Sequence, residues 1–382
     1  MKRSALPDKK LKIVHFGQKR MPSREGGVEI VVEELTTRMA AMGYDVTVIN
    51  RRGHHVSGAE YDEEIGEEYQ KVKIQSVPTI DKKGLAAVTA AFFATIKATF
   101  GNYDVVHIHA EGPAAFCWMP KLLGKRVICT CHGIDYLRPR WKDTLGGKFI
   151  RYGEKMMVRH ADEIIVLSRG VQEYFKNTYG RNTVLIPNGV ERPEVKTNDE
   201  IKEKYGLETD GYFLALSRLT KEKGIHLLIE AYKKITTDKK LVIAGGSSDS
   251  DEYVQYLHQL AEGDERILFT GFVQGRELEE LYSNAYVYVL PSELEGMPLS
   301  LLEAMSYGNC CLVSDIPENT DVIGDHGISF QTNSEIALAE CLQKLADNFD
   351  IVHVYKAGVA EYICAKYNWS EITQKTLKLY CK

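Results

Sequence analysis

The residues best suited to chemistry sit in two short segments of the second half of the chain. Arg218 and Lys223 lie in Ser217-Arg-Leu-Thr-Lys-Glu-Lys-Gly224, and Glu295 and Glu303 in Glu293-Leu-Glu-Gly-Met-Pro-Leu-Ser-Leu-Leu-Glu-Ala-Met305. Two fixed cations beside a helix N-terminus suit a diphosphate leaving group that no metal neutralises. Carboxylates can hold sugar hydroxyls by charge-assisted hydrogen bonds, and N–H groups of Gly296, Met297 and Leu299 around Pro298 would sit at the start of a helix. Pro298 fits the first helical turn. A plainer reading makes Glu295 and Glu303 a helix-dipole pair and the basic run a solvated face, with Lys221 its most solvated member; spacing alone leaves both open.

Three further groups need weighing. Gly26 and Gly27, in Pro22-Ser-Arg-Glu-Gly-Gly-Val28, either bring backbone N–H groups to an anion or only make a tight turn. They form neither GxGxxG nor GxxxxGK[ST], so a dinucleotide or ATP site is poorly supported. His107 and His109 point the same way on one strand and could mimic a metal pair, but a third ligand is not apparent. Asp249-Ser-Asp251 is literally a DxD, the signature of metal-dependent transferases of another fold. In a polar loop after Gly245-Gly246 it reads as a loop and helix cap.

The elements that must position these residues alternate between short β-branched runs and longer helical patterns, the signature of parallel sheets covered by helices. Strands are predicted at 11–16, 45–50, 104–109, 127–131, 163–167 and 183–190. After a linker at 190–197 containing Pro193, further strands are predicted at 212–217, 240–244, 267–270, 286–290 and 310–314. Helices are predicted over about 28–42 and 224–235, and from about Ser334 to the end. Leu85 to Phe100 is too short and polar to span a bilayer and reads as a core-facing helix rather than a membrane-surface one. Ligands of such sheets bind beyond the carboxyl ends of the strands. Both charged segments follow strands, which raises their standing above ordinary surface charge.

At 382 residues with 44% apolar content, the chain can bury two cores. Forty-eight Lys and Arg against fifty-three Asp and Glu, a net charge of -5, argue against nucleic acid as the main partner. The eight cysteines form no CxxC, and Cys129, Cys131, Cys310 and Cys311 lie in apolar runs, which favours a reducing cytoplasm. Lys2, Arg3, Lys9 and Lys10 are followed by no apolar region, so the N-terminus is not a signal peptide.

Glu295-x7-Glu303, Ser217-Arg-Leu…Lys223-Gly224, Gly26-Gly27 and Pro187-Asn-Gly-Val190 together resemble the retaining glycosyltransferase family 4. The similarity covers nearly the whole chain, with the motifs in the family's order. It implies an α/β GT-B architecture of two Rossmann-like parallel-sheet domains facing one cleft. An acceptor domain at 1–190, completed by the helix at about 363–382, would precede a nucleotide-sugar donor domain at 191–362. By the same resemblance Arg218 and Lys223 bind the donor diphosphate and Glu303 the ribose hydroxyls. Glu295 and the backbone of Gly296, Met297, Pro298 and Leu299 hold the transferred sugar. Gly27 lets the loop approach the β-phosphate, and His132, in Cys131-His-Gly-Ile-Asp135, matches the family histidine at the donor sugar.

A narrower resemblance, in Phe16-Gly-Gln-Lys-Arg-Met-Pro-Ser-Arg-Glu-Gly-Gly-Val-Glu29 and Asn50-Arg-Arg-Gly-His-His55, is to rhamnosyltransferases of bacterial capsule and cell-wall polysaccharides. It implies a UDP- or dTDP-linked donor such as dTDP-L-rhamnose and a saccharide or lipid-linked saccharide acceptor, with Arg24, Glu25 and Arg51 on the acceptor side. The expected enzyme needs no metal or cofactor, and a lipid-linked acceptor would bring it to the inner face of the cell membrane. No protein nucleophile is evident under the sugar, so a same-face, ion-pair-like route is favoured over a covalent intermediate. A nucleotide-sugar epimerase of the same fold and a non-catalytic sugar-nucleotide binding subunit are the alternatives.

Overall fold

β-Branched runs bounded by Gly, Asp and Asn become buried parallel strands because both faces of each sheet are covered by helices. The computed structural model describes residues 10–53, 66–80, 84–246 and 251–381. It divides into two units, residues 1–188 with 369–382, and residues 189–368.

The first unit holds β1 (Lys12–Phe16), β2 (Asp45–Arg51), β3 (Glu68–Tyr69), β4 (Val72–Val77), β5 (Val105–His109), β6 (Arg126–Cys131), β7 (Glu163–Val166) and β8 (Val184–Leu185). Their order is β3-β4-β2-β1-β5-β6-β7-β8, parallel except for the antiparallel β3–β4 pair. The order reverses between β1 and β5, the position where such sheets open a crevice beyond their carboxyl ends. His15 of β1 pairs in register with His107 of β5, and His109 with Thr130 of β6.

The second unit holds β9 (Tyr212–Leu216), β10 (Lys240–Ala244), β11 (Ile267–Gly271), β12 (Val287–Leu290), β13 (Cys310–Ser314) and β14 (Ile328–Phe330). All pairs are parallel, in the order β11-β10-β9-β12-β13-β14. Here the reversal falls between β9 and β12, and the two charged segments are the loops that follow those strands.

Most predicted strands lie where hydrophobic runs placed them. The segment 183–190 is a strand only at Val184–Leu185. Three strands among the described residues went unpredicted: β3 and β4, a half-buried edge pair, and the three-residue β14. The helix Leu85–Phe100 does pack inward, but through Ala90, Ala91, Ala94 and Ala98 rather than its aromatics. Phe92, Phe93 and Phe100 stay outside, because only small residues allow that close an approach to the sheet. No helix among the described residues is long and apolar enough to cross a membrane.

The chain returns to the first unit at Trp369, not at about 363. The helix Val359–Lys366 belongs to the second unit, where it packs on the helix Leu299–Ser306. Val190 N donates to Tyr367 O at 2.8 Å and Val190 bridges Asn368, so the two crossings are tied to each other.

Candidate functional site

In the second unit the loops after β9 and β12 are stitched together. Glu293 N donates to Glu222 O at 2.8 Å. Gly224 has φ +67°, and a Cβ there would stand 2.2 Å from the backbone oxygen of Pro291. That approach carries Lys223 to Glu295, with Nζ 2.6 Å from Oε1 and side chains only 12% and 7% exposed. Gly224→Ala is expected to cost at least about 2 kcal/mol, from a left-handed backbone and a clash with rigid main chain. A urea midpoint within error of wild type would remove this close approach as a constraint.

Arg218 is half-buried, in a segment held against the end of β10 by Ser217 N donating to Ala244 O and Leu219 N to Gly246 O, both at 3.1 Å. Lys221 is exposed. Gly245 makes this packing possible, since a Cβ there would lie 1.8 Å from Ser217 O.

The helix Leu299–Ser306 starts one residue later than Pro298 was expected to start it. Pro298 is the N-cap, with φ -75° and ψ 109°, and Leu301 N donates to its carbonyl at 3.2 Å. The first-turn N–H groups therefore begin at Leu299, with Gly296 and Met297 buried in the approach loop. Glu303, more than a turn inside, accepts from Tyr282 Oη at 3.2 Å, and Tyr282 stacks on Tyr307. Tyr288 donates to Ser300 Oγ at 2.8 Å; burial pushes its phenol well up, and the charges of Glu295 and Glu303 add to that. Lys223 and Glu295 are thus in contact, and Glu303 shares with Glu295 a tyrosine neighbour.

One carboxylate here has no counterpart in the motifs. Glu318, on the helix Pro317–Ile323 after β13, is pushed above the usual carboxylate range by burial, with the charge of Glu295 contributing. Its position just after a strand was the only available signal. Of the DxD, Asp249 lies outside the described residues and Asp251 opens the helix Asp251–Ala261.

In the first unit the loop after β1 is tied to the end of β2. Gln18 Nε2 donates to Ile49 O at 3.1 Å and to Asn50 Oδ1 at 3.0 Å, and Arg51 N donates to Lys19 O at 3.0 Å. Arg51 lines a pocket with Gly17, Lys19, Val77, Ala87 and Pro113. Glu25 is buried and turned onto Ser23, while Arg24 is exposed. Of these three acceptor candidates, only Arg51 lines the pocket. His54 and His55 lie outside the described residues. Gly26 is the N-cap and Gly27 the first residue of the helix Gly27–Ala41. Glu29, in the first turn, accepts from Lys19 N at 2.9 Å and stands 2.9 Å from where a Gly26 Cβ would be.

His132 follows β6 and is half-buried at the end of a row of rings. His132 Nε2 lies 3.1 Å from His109 Nδ1, and His109 Nε2 lies 3.1 Å from His15 Nδ1. Tyr380 Oη is 3.4 Å from His15 Nε2 and 2.6 Å from His107 Nδ1, and His107 Nε2 is 2.7 Å from Thr130 Oγ1. His15, His107 and His109 are fully buried. Burial lowers His15 to about 3 and His107 and His109 well below 6.5, so these rings are neutral. It lowers His132 to about 4, with Asp135 pulling the other way.

His15 is the third member that spacing could not supply to the His107–His109 pair, because it lies on another strand. Nitrogens of the three rings fall within 4.8 Å of one another. Bonds of about 2.0–2.1 Å to one ion would draw them nearer, to roughly 3.3 Å. Each of their ring nitrogens already faces a hydrogen-bond partner. Beneath His132, buried Glu111 accepts from Asp135 N at 3.2 Å, and burial with the nearby Asp135 charge raises its carboxyl well above the usual range.

Residues 25–192 match the family described as Glycosyltransferase Family 4, and residues 197–357 the one described as Glycosyl transferases group 1. The α-maltose-1-phosphate synthase of Mycolicibacterium smegmatis is 25% identical over 304 residues, covering 73% of this chain and 79% of that protein. The O-antigen chain mannosyltransferase RfbU of Salmonella typhimurium is 26% identical over 255 residues, covering 63% and 71%. Among solved structures, Anabaena HepE in complex with UDP and glucose superposes with a TM-score of 0.78 at 16% identity, covering 96% of this chain and 98% of that one. Two parallel-sheet Rossmann-like units, each matching a glycosyltransferase domain over most of its length, make this chain a family 4-like glycosyltransferase of the GT-B type.

Proposed function

We propose that this transferase moves a sugar, with retention of anomeric configuration, from a nucleoside diphosphate donor to a saccharide or lipid-linked saccharide acceptor. The observation that carries the reading is the Lys223–Glu295 pair at the strand-order reversal of the second unit. There a cation and a helix start converge where sheets of this kind bind phosphate. Arg218 and Lys223 take the diphosphate, Glu303 the ribose, and Glu295 with the backbone from Gly296 to Leu299 the transferred sugar. In the first unit His132 takes a sugar hydroxyl, and Arg51, with Arg24 and Glu25, the acceptor.

In the proposed step the bond from the anomeric carbon to the β-phosphate oxygen breaks, with charge growing on a diphosphate held by Arg218 and Lys223. The acceptor oxygen bonds to that carbon on the same face and passes its proton to the departing phosphate oxygen. UDP in a neighbour of the same fold supports a nucleotide-linked donor, and an O-antigen relative supports surface polysaccharide as the product class. The match to transferase domains favours transfer over epimerisation or binding alone.

A binding screen of UDP-, dTDP- and GDP-sugars, dTDP-L-rhamnose included, tests the donor. Proton NMR of the product's anomeric centre then tests the stereochemistry, and an inverted centre would sink the retaining assignment. Turnover is expected to be unchanged in EDTA, since fixed cations rather than an ion neutralise the diphosphate; activity lost in EDTA and restored by a divalent cation would overturn that.

A further inference from the structure

The helix Leu85–Phe100 has two faces of different kinds. Its alanines pack on the sheet, whereas Phe92, Phe93 and Phe100 lie outside. The turn Pro113–Phe116 packs against both this helix and the helix Leu145–His160, and the short helix Trp118–Leu122 packs against the same two. All of them cover one core, through Ala94, Ala114, Cys117 and Met157. Their outer faces are joined by rings, with Phe92 5.4 Å from Phe116 and Phe116 6.2 Å from Phe149. Leu122 and Leu145 extend this surface, 74% and 83% exposed.

Charge is as unevenly spread. Residues 84–159 hold eleven Lys and Arg against five Asp and Glu, in a chain whose net charge is -5. Of those five acids only Asp143 is exposed. Glu111 and Glu154 are buried, Asp135 lies 2.8 Å from Arg138, and Asp104 accepts from Lys12 N at 2.9 Å. Lys148, Arg151 and Lys155 are exposed along one flank of the helix Leu145–His160, beside a stripe of Leu145, Phe149 and Tyr152. Lys97 shares a helical face with Phe93 and Phe100 in the same way. Apolar side chains ringed by cations, with one exposed acid among them, match the headgroup boundary of an anionic bilayer. A second copy of the chain fits poorly, because an isologous contact would set one excess of cations against the other.

We propose that the outer face of the first unit, formed by the helices Leu85–Phe100, Trp118–Leu122 and Leu145–His160, docks on an anionic lipid surface. Phe93, Phe100, Leu122 and Leu145 enter the boundary between headgroups and acyl chains, and Lys97, Lys148, Arg151 and Lys155 meet lipid phosphates. The chain lies on the bilayer here, since none of these helices is long and apolar enough to cross it. The inner side of the helix Leu85–Phe100 lines the pocket that holds Arg51, through Ala90 and Ala94. An acceptor anchored in that bilayer would therefore stay one helix away from the pocket. This last consequence rests on the transferase reading above, whereas the docking does not.

Cosedimentation of the full chain with vesicles tests the docking, using phosphatidylcholine alone and phosphatidylcholine mixed with phosphatidylglycerol. Binding is expected to the mixed vesicles only, and it should weaken as salt is raised. Lys148→Gln, Arg151→Gln and Lys155→Gln should each lower the partition constant by roughly fivefold. Leu122→Ser with Leu145→Ser should weaken binding as well, with the urea midpoint unchanged because both side chains are exposed. Turnover of a water-soluble acceptor should be unchanged in all of these variants. Equal binding to neutral vesicles, binding to neither kind, or variants that bind like wild type would overturn the proposal. So would a dimer in sedimentation velocity that Leu122→Ser with Leu145→Ser dissolves, since a second copy would then cover this face. Failure of every donor to react would instead remove the transferase reading, and the vesicles would still decide the docking.

Discussion

Replacing Lys223 by Ala is expected to lower turnover by roughly 10²–10³-fold, the usual cost of one preorganised group facing a developing charge. The same change should also lower stability, because Lys223 and Glu295 are mostly enclosed and in contact at 2.6 Å. Removing the ammonium strands a buried carboxylate, which typically costs several kcal/mol, about 2–3 here given that both side chains keep some exposure. The two effects separate in the double variant. Lys223→Ala with Glu295→Gln removes the stranded charge, so the urea midpoint should recover most of the loss while turnover stays low. Near-normal turnover in Lys223→Ala would take the residue out of the donor site. A midpoint that does not recover in the double variant would mean the ion pair is not the source of the instability.

Acid should destabilise the first unit before ordinary carboxylates titrate. His15, His107 and His109 have folded pKa values far below 6.5, the cause in each being burial. Below pH 6.5 the unfolded chain binds protons that the native rings refuse, so stability is present above that pH and lost as pH falls towards the folded values. Each ring costs about 1.4 kcal/mol per pH unit in that window. Glu111 and Glu154 work the other way, since their raised pKa values favour the folded state as pH falls. Glu154, accepting from Tyr174 at 2.9 Å and from Tyr179, is raised less than Glu111, so its offset is smaller. The net expectation is a loss of about 2 kcal/mol between pH 6.5 and 5.5, with little change from 7.5 to 6.5. Urea midpoints at these three pH values check it; a flat profile would mean the rings are not held neutral.

Much of the fold was legible because buried parallel strands are short apolar runs, as in Lys240–Ala244 and Cys310–Ser314. The edge pair Glu68–Tyr69 and Val72–Val77 was not, because an edge strand alternates and is partly polar. Pro298 shows a smaller limit. Its type announces a helix start, but whether it caps the helix or enters it depends on a single ψ angle.

The charged segments of the second unit were visible from type and order along the chain. Arg218, Lys223, Glu295 and Glu303 each follow a strand or open a helix, and local sequence determines that much. What the sequence could not decide is who touches whom. Lys223 meets Glu295 because β9 and β12 are neighbours at the order reversal, although 72 residues separate the two. His15, His109 and Tyr380 join His132 for the same reason, since parallel pairing and a returning helix set neighbours at no fixed spacing. Sequence by itself supplied a set of side chains suited to a diphosphate and the architecture around it. Only the tertiary structure placed a carboxylate against the lysine and a hydrogen-bonded row of rings behind the histidine, because sheet order, unlike periodicity, is decided by packing over the whole unit.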